Sequence, residues 1–248
     1  MLTKDAAICI RALDYSETSQ IVTFFTRTTG KISVIAKGSK RPKSAFDGPI
    51  EMFAHGEIVF SDSSKEKLAI LTEFEQQGGF ANLATNLFAL NCCLFAVELL
   101  NNLINDYDPH PELFDSFLQF LKRTRDTGHE TRDTISLLIL FQLSLLKEIG
   151  LQPVLSHCVN CKTGHGSRAT GHELYFSSSA NGLVCRDCEA AFADRIKLSA
   201  SAAKCLSGLK HIADADRKTL NEIERVLISH FSETLGRPPK MAKYVLKS

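Results

Sequence analysis

No apolar run in this sequence reads as a leader or as a membrane span. The first residues, Met1-Leu2-Thr3-Lys4-Asp5, meet polar side chains at once, so a secretory signal is not expected. The longest apolar stretches, around Leu87–Leu100 and Ile135–Leu146, are broken by Asn91, Glu98, Ser136 and Gln142, and neither reads as a spanning helix. Also missing are a Walker A loop, a G-x-S-x-G elbow, an H-E-x-x-H pair and a G-x-G-x-x-G turn, so no motif proposes catalysis. There is no internal repeat and no long low-complexity linker. What remains is 248 residues, 44% hydrophobic and 23% charged, the composition of an ordinary globular chain with room for two or three units.

The chain is expected to fold without disulfides. Of its eight cysteines, Cys9, Cys92, Cys93 and Cys205 sit inside apolar patterns, where a free thiol behaves as a small buried hydrophobe. The other four form Cys158-x-x-Cys161 and Cys185-x-x-Cys188. With no export signal expected, a reducing compartment follows, and paired cysteines read as metal ligands before they read as disulfides.

The first part, to about Phe74, reads as five short strands: Ala6–Leu13, Gln20–Thr26, Lys31–Lys37, Ile50–Phe60 and Lys67–Phe74. In the third, Ile32, Val34 and Ala36 share one face at period two. Five such strands with Gly- and Ser-rich turns predict a small closed barrel, of which the OB-fold is one form; periodicity does not separate it from an SH3-like barrel. Beyond Gly78-Gly79 the apolar period changes. Leu83, Leu87, Leu90, Leu94, Val97, Leu100 and Ile104 are three and four apart, which is helical spacing within Phe80–Asn105. Further helices are predicted over Glu112–Arg125, Thr131–Ile149, Ser199–His211 and Asp216–Leu235, the last two following the cysteine segment. The expected fold class is therefore α+β: an OB barrel over 1–78, then a helical domain over 79–248 with an inserted zinc-ribbon-like segment over 155–190.

The strongest local signal is the cysteine quartet. Zn²⁺ takes four ligands in a tetrahedron, thiolates suit it, and each C-x-x-C turn lets two sulfurs converge on one ion. Cys158, Cys161, Cys185 and Cys188 are the expected ligands of one structural zinc, with Gly164, Gly166, Gly171 and the strand-like Leu174-Tyr175-Phe176 between the pairs. A redox dithiol is the rival and needs only one C-x-x-C. His157, His165 and His172 read as loop residues, since four thiolates close the site and leave no position for a substrate. A zinc deaminase needs H-x-E followed by P-C-x-x-C. His55-Gly56-Glu57 and His110-Pro111-Glu112 match the first half, but His157 and Val184 stand where the proline belongs.

The second signal is the absence of any acidic residue from Thr18 to Phe46, in a chain of net charge +1. That span holds Arg27, Lys31, Lys37, Lys40, Arg41 and Lys43, densest in Ala36–Ser44, a turn after a strand. Phosphates are the natural partner of such a patch, so these six residues are the expected DNA contacts, Arg27 and Lys31 on the same barrel face as the turn, with Ser39 and Ser44 as further donors. A solvated loop is the competing reading. Phe24, Phe25, Phe46, Phe53 and Phe60 are mostly expected in the core, Phe46 being the best candidate for an exposed base platform. The C-terminal stretch with Arg237, Lys240, Lys243 and Lys247 reads as a solvated tail whose charges favour a helix end.

At this point the residues resemble the bacterial RecO family of recombination mediators. Tyr15-Ser16-Glu17-Thr18-Ser19, Phe25-Thr26, Gly30-Lys31 and Ala36–Ser44 look like the family's N-terminal signature. Leu145–Pro153, leading into Cys158-Val159-Asn160-Cys161, resembles its central one. The resemblance implies binding to single- and double-stranded DNA, annealing of complementary strands, partnership with RecR, and help in loading RecA onto DNA coated by single-strand-binding protein (SSB). It also implies contact with the acidic C-terminal tail of SSB through the helical domain, no enzymatic activity, and a cytoplasmic, nucleoid-associated location without a membrane. Lys122, Arg123, Arg125, Arg132 and Lys147, near the apolar Ile135–Leu146, are candidates for the tail contact. Two departures stand out: Gln142 and Ser144 where the family often has an acidic and a basic residue, and Lys162 where a glycine is frequent. The alternatives are a zinc-ribbon adaptor that docks RNA or an acidic protein, and a nuclease or transferase with an unrecognised site.

Overall fold

The computed structural model describes residues 2–42, 44, 46, 48–61, 68–78, 80, 83, 85–127, 130–164 and 173–246. Of the residues singled out above, Lys43, His165, Gly166, Gly171, His172, Lys247 and Gly79 lie outside these. Five strands form the N-terminal sheet: β1 (Leu2–Asp14), β2 (Gln20–Thr26), β3 (Gly30–Ala36), β4 (His55–Ser61) and β5 (Ala69–Gly78). They close into a barrel in the order β1-β2-β3-β5-β4, with β4 back on β1. All pairs are antiparallel except β3 with β5. This is the Greek-key order of the OB-fold, and it decides between the two barrels that periodicity left open.

The alternation that predicted the strands also sorts them into faces. Ala7, Cys9, Val22, Phe24, Ile32, Val34, Ala36, Ile58, Phe60, Leu71 and Phe74 point inward and form one cluster. Phe25 points outward instead, and is covered by Phe114 and Phe117 of helix α2 (Pro111–Asp126) at centroid distances of 5.8 and 6.5 Å. Gly30 opens β3 at φ +85°, and a Cβ there would sit 2.5 Å from the Asp108 carbonyl oxygen, so only glycine lets the 106–108 segment lie against the strand. The first compact unit accordingly takes in Met1–Ala84 and also Ile104–Lys122, rather than ending where the strands end.

The second unit comprises Thr85–Leu103 and Arg123–Ser248. Its helices are α1 (Leu87–Leu103), α3 (Thr131–Glu148), α4 (Ala200–Ser207), α5 (Arg217–Leu235) and α6 (Ala242–Leu246). α3 packs against both α1 and α5. That explains why nearly all of Thr134–Leu146 is buried and why its sequence is apolar all round. Side chains set the helix ends: Asp216 accepts from Thr219 N at 2.7 Å to start α5, and Gly236 at φ +66° stops it. The predicted Ser199–His211 helix is shorter, ending at Ser207 before a 3-10 turn at Leu209–His211. Among the described residues no helix is long and apolar enough to cross a membrane.

The stretch read as a solvated C-terminal tail is instead packed. Glu98 of α1 accepts the backbone N–H groups of Lys240 and Met241, both at 2.7 Å, and Arg237 donates to Asn102 at 3.0 Å. Ala242 and Val245 of α6 are buried. The anchor is Glu98, far away in sequence.

Candidate functional site

The basic turn is built on Gln20, which is buried at the start of β2. Its side-chain oxygen accepts from Ile50 N at 2.9 Å and from the Ser39 hydroxyl at 2.9 Å, and its amide donates to Ile50 O. Gly38 takes φ +74°, Arg41 N bonds Gly38 O, and Lys40 N bonds Thr18 O at 3.1 Å. The turn is therefore pinned to the β1–β2 connection, with Lys37 and Arg41 exposed. Ser39 is fully buried and its hydroxyl engaged. Ser44 accepts from Phe46 N and Gly48 N at 3.1 Å each. The Ser39 hydroxyl, buried and donating to Gln20, is not a phosphate donor in this arrangement, contrary to expectation, whereas the Ser44 hydroxyl accepts and keeps its own proton to donate. Phe46 is likewise no exposed platform: the Ser44 turn directs it into the barrel core, and it is 6% exposed.

Three of the expected cations have carboxylate partners. Lys40 Nζ lies 2.6 Å from Asp14 Oδ2. Arg27 grips Asp115 with Nε and Nη2 at 3.1 and 2.9 Å, which raises the pKa of Arg27 and holds the Asp115 carboxyl below its ordinary range. Lys31, only 12% exposed, donates to Ile104 O at 2.8 Å and meets Asp106 at 3.3 Å. Direction of travel separates these residues. Arg27 and Lys31 flank the β2–β3 turn, while Lys37 to Arg41 follow the far end of β3, about 20 Å along a seven-residue strand. The structure places the two groups at opposite ends of the β2–β3 ribbon.

The four cysteines converge. Cys158, Cys161, Cys185 and Cys188 place their sulfurs within 4.8 Å of one another. They hang on a three-stranded sheet in the order β7-β6-β8, with β6 at Leu174–Ser177, β7 at Gly182–Cys185 and β8 at Ile196–Lys197. The first knuckle is closed by Lys162 N to Cys158 O at 3.0 Å and the second by Cys188 N to Cys185 O at 3.0 Å. Cys185 N also points at Cys158 Sγ, 3.4 Å away. Gly182 lets Val154 approach so closely that a Cβ would lie 2.4 Å from its carbonyl oxygen. Inside the unit, Phe176 of β6 meets the edge of buried His230 on α5 at 5.4 Å, and desolvation keeps that imidazole below its usual pKa.

The donor set fits a soft tetrahedral cation. Sulfurs 2.3 Å from a central ion stand about 3.8 Å apart, and Cys161 and Cys185 Sγ are 3.7 Å apart. Hydrogen bonding with the Thr163 side chain and backbone draws Cys161 down to about 6, while burial pushes Cys185 up to about 12. Four sulfurs this close cannot all be thiolates without a cation at their centre. Among the described residues this is the one group of three or more metal-ligating side chains brought together.

One polar pair escaped sequence reading. Glu224 of α5 is wholly buried and accepts from Gln142 Nε2 of α3 at 2.8 Å. Burial raises it to about 7, against the lowering effect of that hydrogen bond. The available signal was position: Glu224 is four residues past Leu220 and seven before Phe231, inside an apolar face. Gln142, the departure noted above, gives this acid a neutral donor.

Comparison with known proteins agrees with this layout. Residues 1–80 match the family described as "Recombination protein O N terminal" and residues 84–243 that described as "Recombination protein O C terminal". The chain is 31% identical over 252 residues to the DNA repair protein RecO of Bacillus velezensis, covering 99% of this chain and 94% of the relative. It is 29% identical to that of Bacillus subtilis with the same coverage. Against that of Rhodopirellula baltica it is 32% identical over 182 residues, 73% of this chain and 65% of the relative. Two family matches that meet between the barrel and the helices, and full-length relatives sharing one name, make this chain a member of the RecO family of DNA repair proteins.

Proposed function

We propose that the protein is a recombination mediator acting by physical rather than chemical means. It binds single- and double-stranded DNA, anneals complementary strands and, with RecR, helps load RecA onto SSB-coated single strands. The barrel over 1–78 is the DNA-binding domain, and 79–248 is the helical domain that takes the acidic SSB tail. Within it, 155–190 binds one structural Zn²⁺ through Cys158, Cys161, Cys185 and Cys188. The setting is the cytoplasm, at the nucleoid, and no step requires an enzyme. The observation that carries this reading is family membership across the whole chain, joined to an acid-free span ending in a pinned, exposed basic turn.

Lys37, Lys40 and Arg41, with Lys43, are the main phosphate contacts; Arg27 and Lys31 form a second group that engages DNA only on leaving their acidic partners. Neutralising phosphates on two strands at once lowers the repulsion that keeps complementary strands apart. The test is annealing of SSB-coated complementary strands with and without RecR. Acceleration that needs this protein, increases with RecR and consumes no nucleotide is expected. Tight DNA binding with no gain in annealing would overturn the mediator reading.

A further inference from the structure

The eight cysteines differ in how they meet solvent. Cys9, Cys92, Cys93, Cys158 and Cys205 are buried, Cys185 and Cys188 are half-buried, and Cys161 is exposed. The first knuckle produces this difference. Lys162 N bonds Cys158 O and Cys158 N bonds Thr163 O, so the loop folds back on itself as a tight hairpin, continued by the bridge between His157 and Gly164. Cys158 lies at the base of that hairpin and Cys161 at its tip, where Asn160–Gly164 are all exposed. Across the cluster, Cys185 ends β7 and is paired with Leu174 of β6. Its sulfur is 3.7 Å from that of Cys161.

A thiolate is the form of cysteine that attacks a peroxide, and metal ligation keeps a sulfur in that form. Exposure then decides which sulfur meets the oxidant first. Attack by Cys161 Sγ on hydrogen peroxide breaks the O–O bond. The sulfur gives up two electrons and gains one oxygen, and the other oxygen leaves as hydroxide and takes a proton to become water. Cys185 Sγ next attacks the sulfenic sulfur, the S–S bond forms, the S–O bond breaks, and the departing hydroxide becomes a second water. Two thiolates, one hydrogen peroxide and two protons thus give one disulfide and two waters. The two sulfurs need to close by only about 1.7 Å to reach the ordinary disulfide length. Cys158 and Cys188 are then the only ligands left, too few for a tetrahedral ion.

We propose that Cys161 is a peroxide-oxidation site, and that the disulfide it forms with Cys185 releases the ion and loosens the ribbon. The proposal rests on the quartet holding Zn²⁺. The way the ribbon is attached says where the change is felt. Phe176 of β6 is fully buried and packs against His230 of α5. β8 runs almost directly into α4, whose cap Ser199 accepts from Ala202 N at 3.2 Å and donates its own N–H to Glu222 Oε1 at 2.6 Å. Loosening the ribbon therefore reaches the first turn of α4 and leaves the barrel strands alone.

The experiment treats the full chain, prepared reduced and without chelator, with hydrogen peroxide. A zinc-binding dye follows the ion, and mass spectrometry of alkylated peptides maps the thiols. Bound zinc is expected to be lost in step with a Cys161–Cys185 disulfide, with faster amide exchange over β6–β8 and the first turn of α4, and to be regained with a thiol reductant and added zinc. Cys161→His keeps four ligands while removing the exposed sulfur, so it should hold zinc and lose it to peroxide severalfold more slowly. Cys188→His, with the same donor set, should lose it at the wild-type rate. A first disulfide between other partners, oxidation that begins at a buried cysteine, equal rates in the two variants, or loss that the reductant does not reverse overturns the site. The wild-type peptide map decides even where a variant fails to bind zinc. Metal content before treatment tests the underlying reading separately. Less than about half an equivalent there removes the zinc, and the switch with it; a full equivalent that peroxide leaves in place removes the switch alone.

Discussion

Lys162 sits at φ +62° in the first cysteine knuckle. There an L side chain crowds its own backbone at a cost of about 1–2 kcal/mol, which glycine escapes. The glycine noted as frequent at this position thus has a physical reason. Lys162→Gly is expected to stabilise the ribbon by roughly 0.5–1 kcal/mol, the gain being trimmed by the greater freedom of glycine in the unfolded chain. Slower loss of metal to a chelator would show it; faster loss would mean that the lysine makes a contact worth more than the strain. Glu224 carries the larger residue-scale effect. Burial lifts it from 4.5 to about 7. Between those values the folded chain keeps a proton that the unfolded chain has released. Its contribution is therefore fully present below 4.5 and lost as pH rises through about 7. Glu224→Gln should stabilise the second unit above pH 7 by up to on the order of 3 kcal/mol. The difference between variant and wild type in urea denaturation should shrink toward zero in acid. A difference independent of pH would assign the effect to packing.

At the scale of elements, an ion in the cysteine quartet would matter to the ribbon in a way it does not to the barrel. Its three strands are four, four and two residues long, too short to hold a sheet unaided. Structural zinc contributes about 10 kcal/mol or more to such modules. Cys158 is the fully buried member of the quartet, so its replacement is expected to be the least tolerated. Cys158→Ser should reduce bound metal well below one equivalent and raise amide exchange over the ribbon strands, with β1–β5 unaffected; full metal content in the variant would show the quartet to be something else. This contrast also explains what the sequence could disclose. Period-two runs and paired C-x-x-C turns are local, so the strands, the order of the helices and the cysteine quartet were legible from neighbours alone. Phe46 was not, because the turn that buries it is set by Ser44 and its inward direction follows no period. Glu98 holding Lys240 and Met241, and Asp115 holding Arg27, join residues far apart in the chain. Charge spacing could place six cations between residues 27 and 43, yet it could not show that half have acidic partners or that β3 separates them.

For the whole molecule, near-neutrality hides a strong local asymmetry, and DNA affinity should follow the local charge. If about four phosphates are neutralised, log K should fall against log salt with a slope near −3 on single strands. Replacing Lys40, Arg41 and Lys43 together by Ala should remove most of the affinity and flatten that slope equally for all sequences, because phosphate contacts carry no base information. An unchanged titration would leave the turn merely solvated. The paired acids modify this expectation. When a phosphate takes Lys40 from Asp14, or Arg27 from Asp115, a carboxylate is left behind that gathers sodium or potassium from solution. DNA sheds cations on binding while the protein takes some up, and the two fluxes oppose each other. The intact protein should therefore hold DNA with less sensitivity to ionic strength than its number of contacts implies, and Asp14→Asn should make it both a tighter binder in dilute buffer and a more salt-sensitive one. Seen this way, the aspartates act as an internal salt solution, travelling with the protein and damping its response to the salt outside.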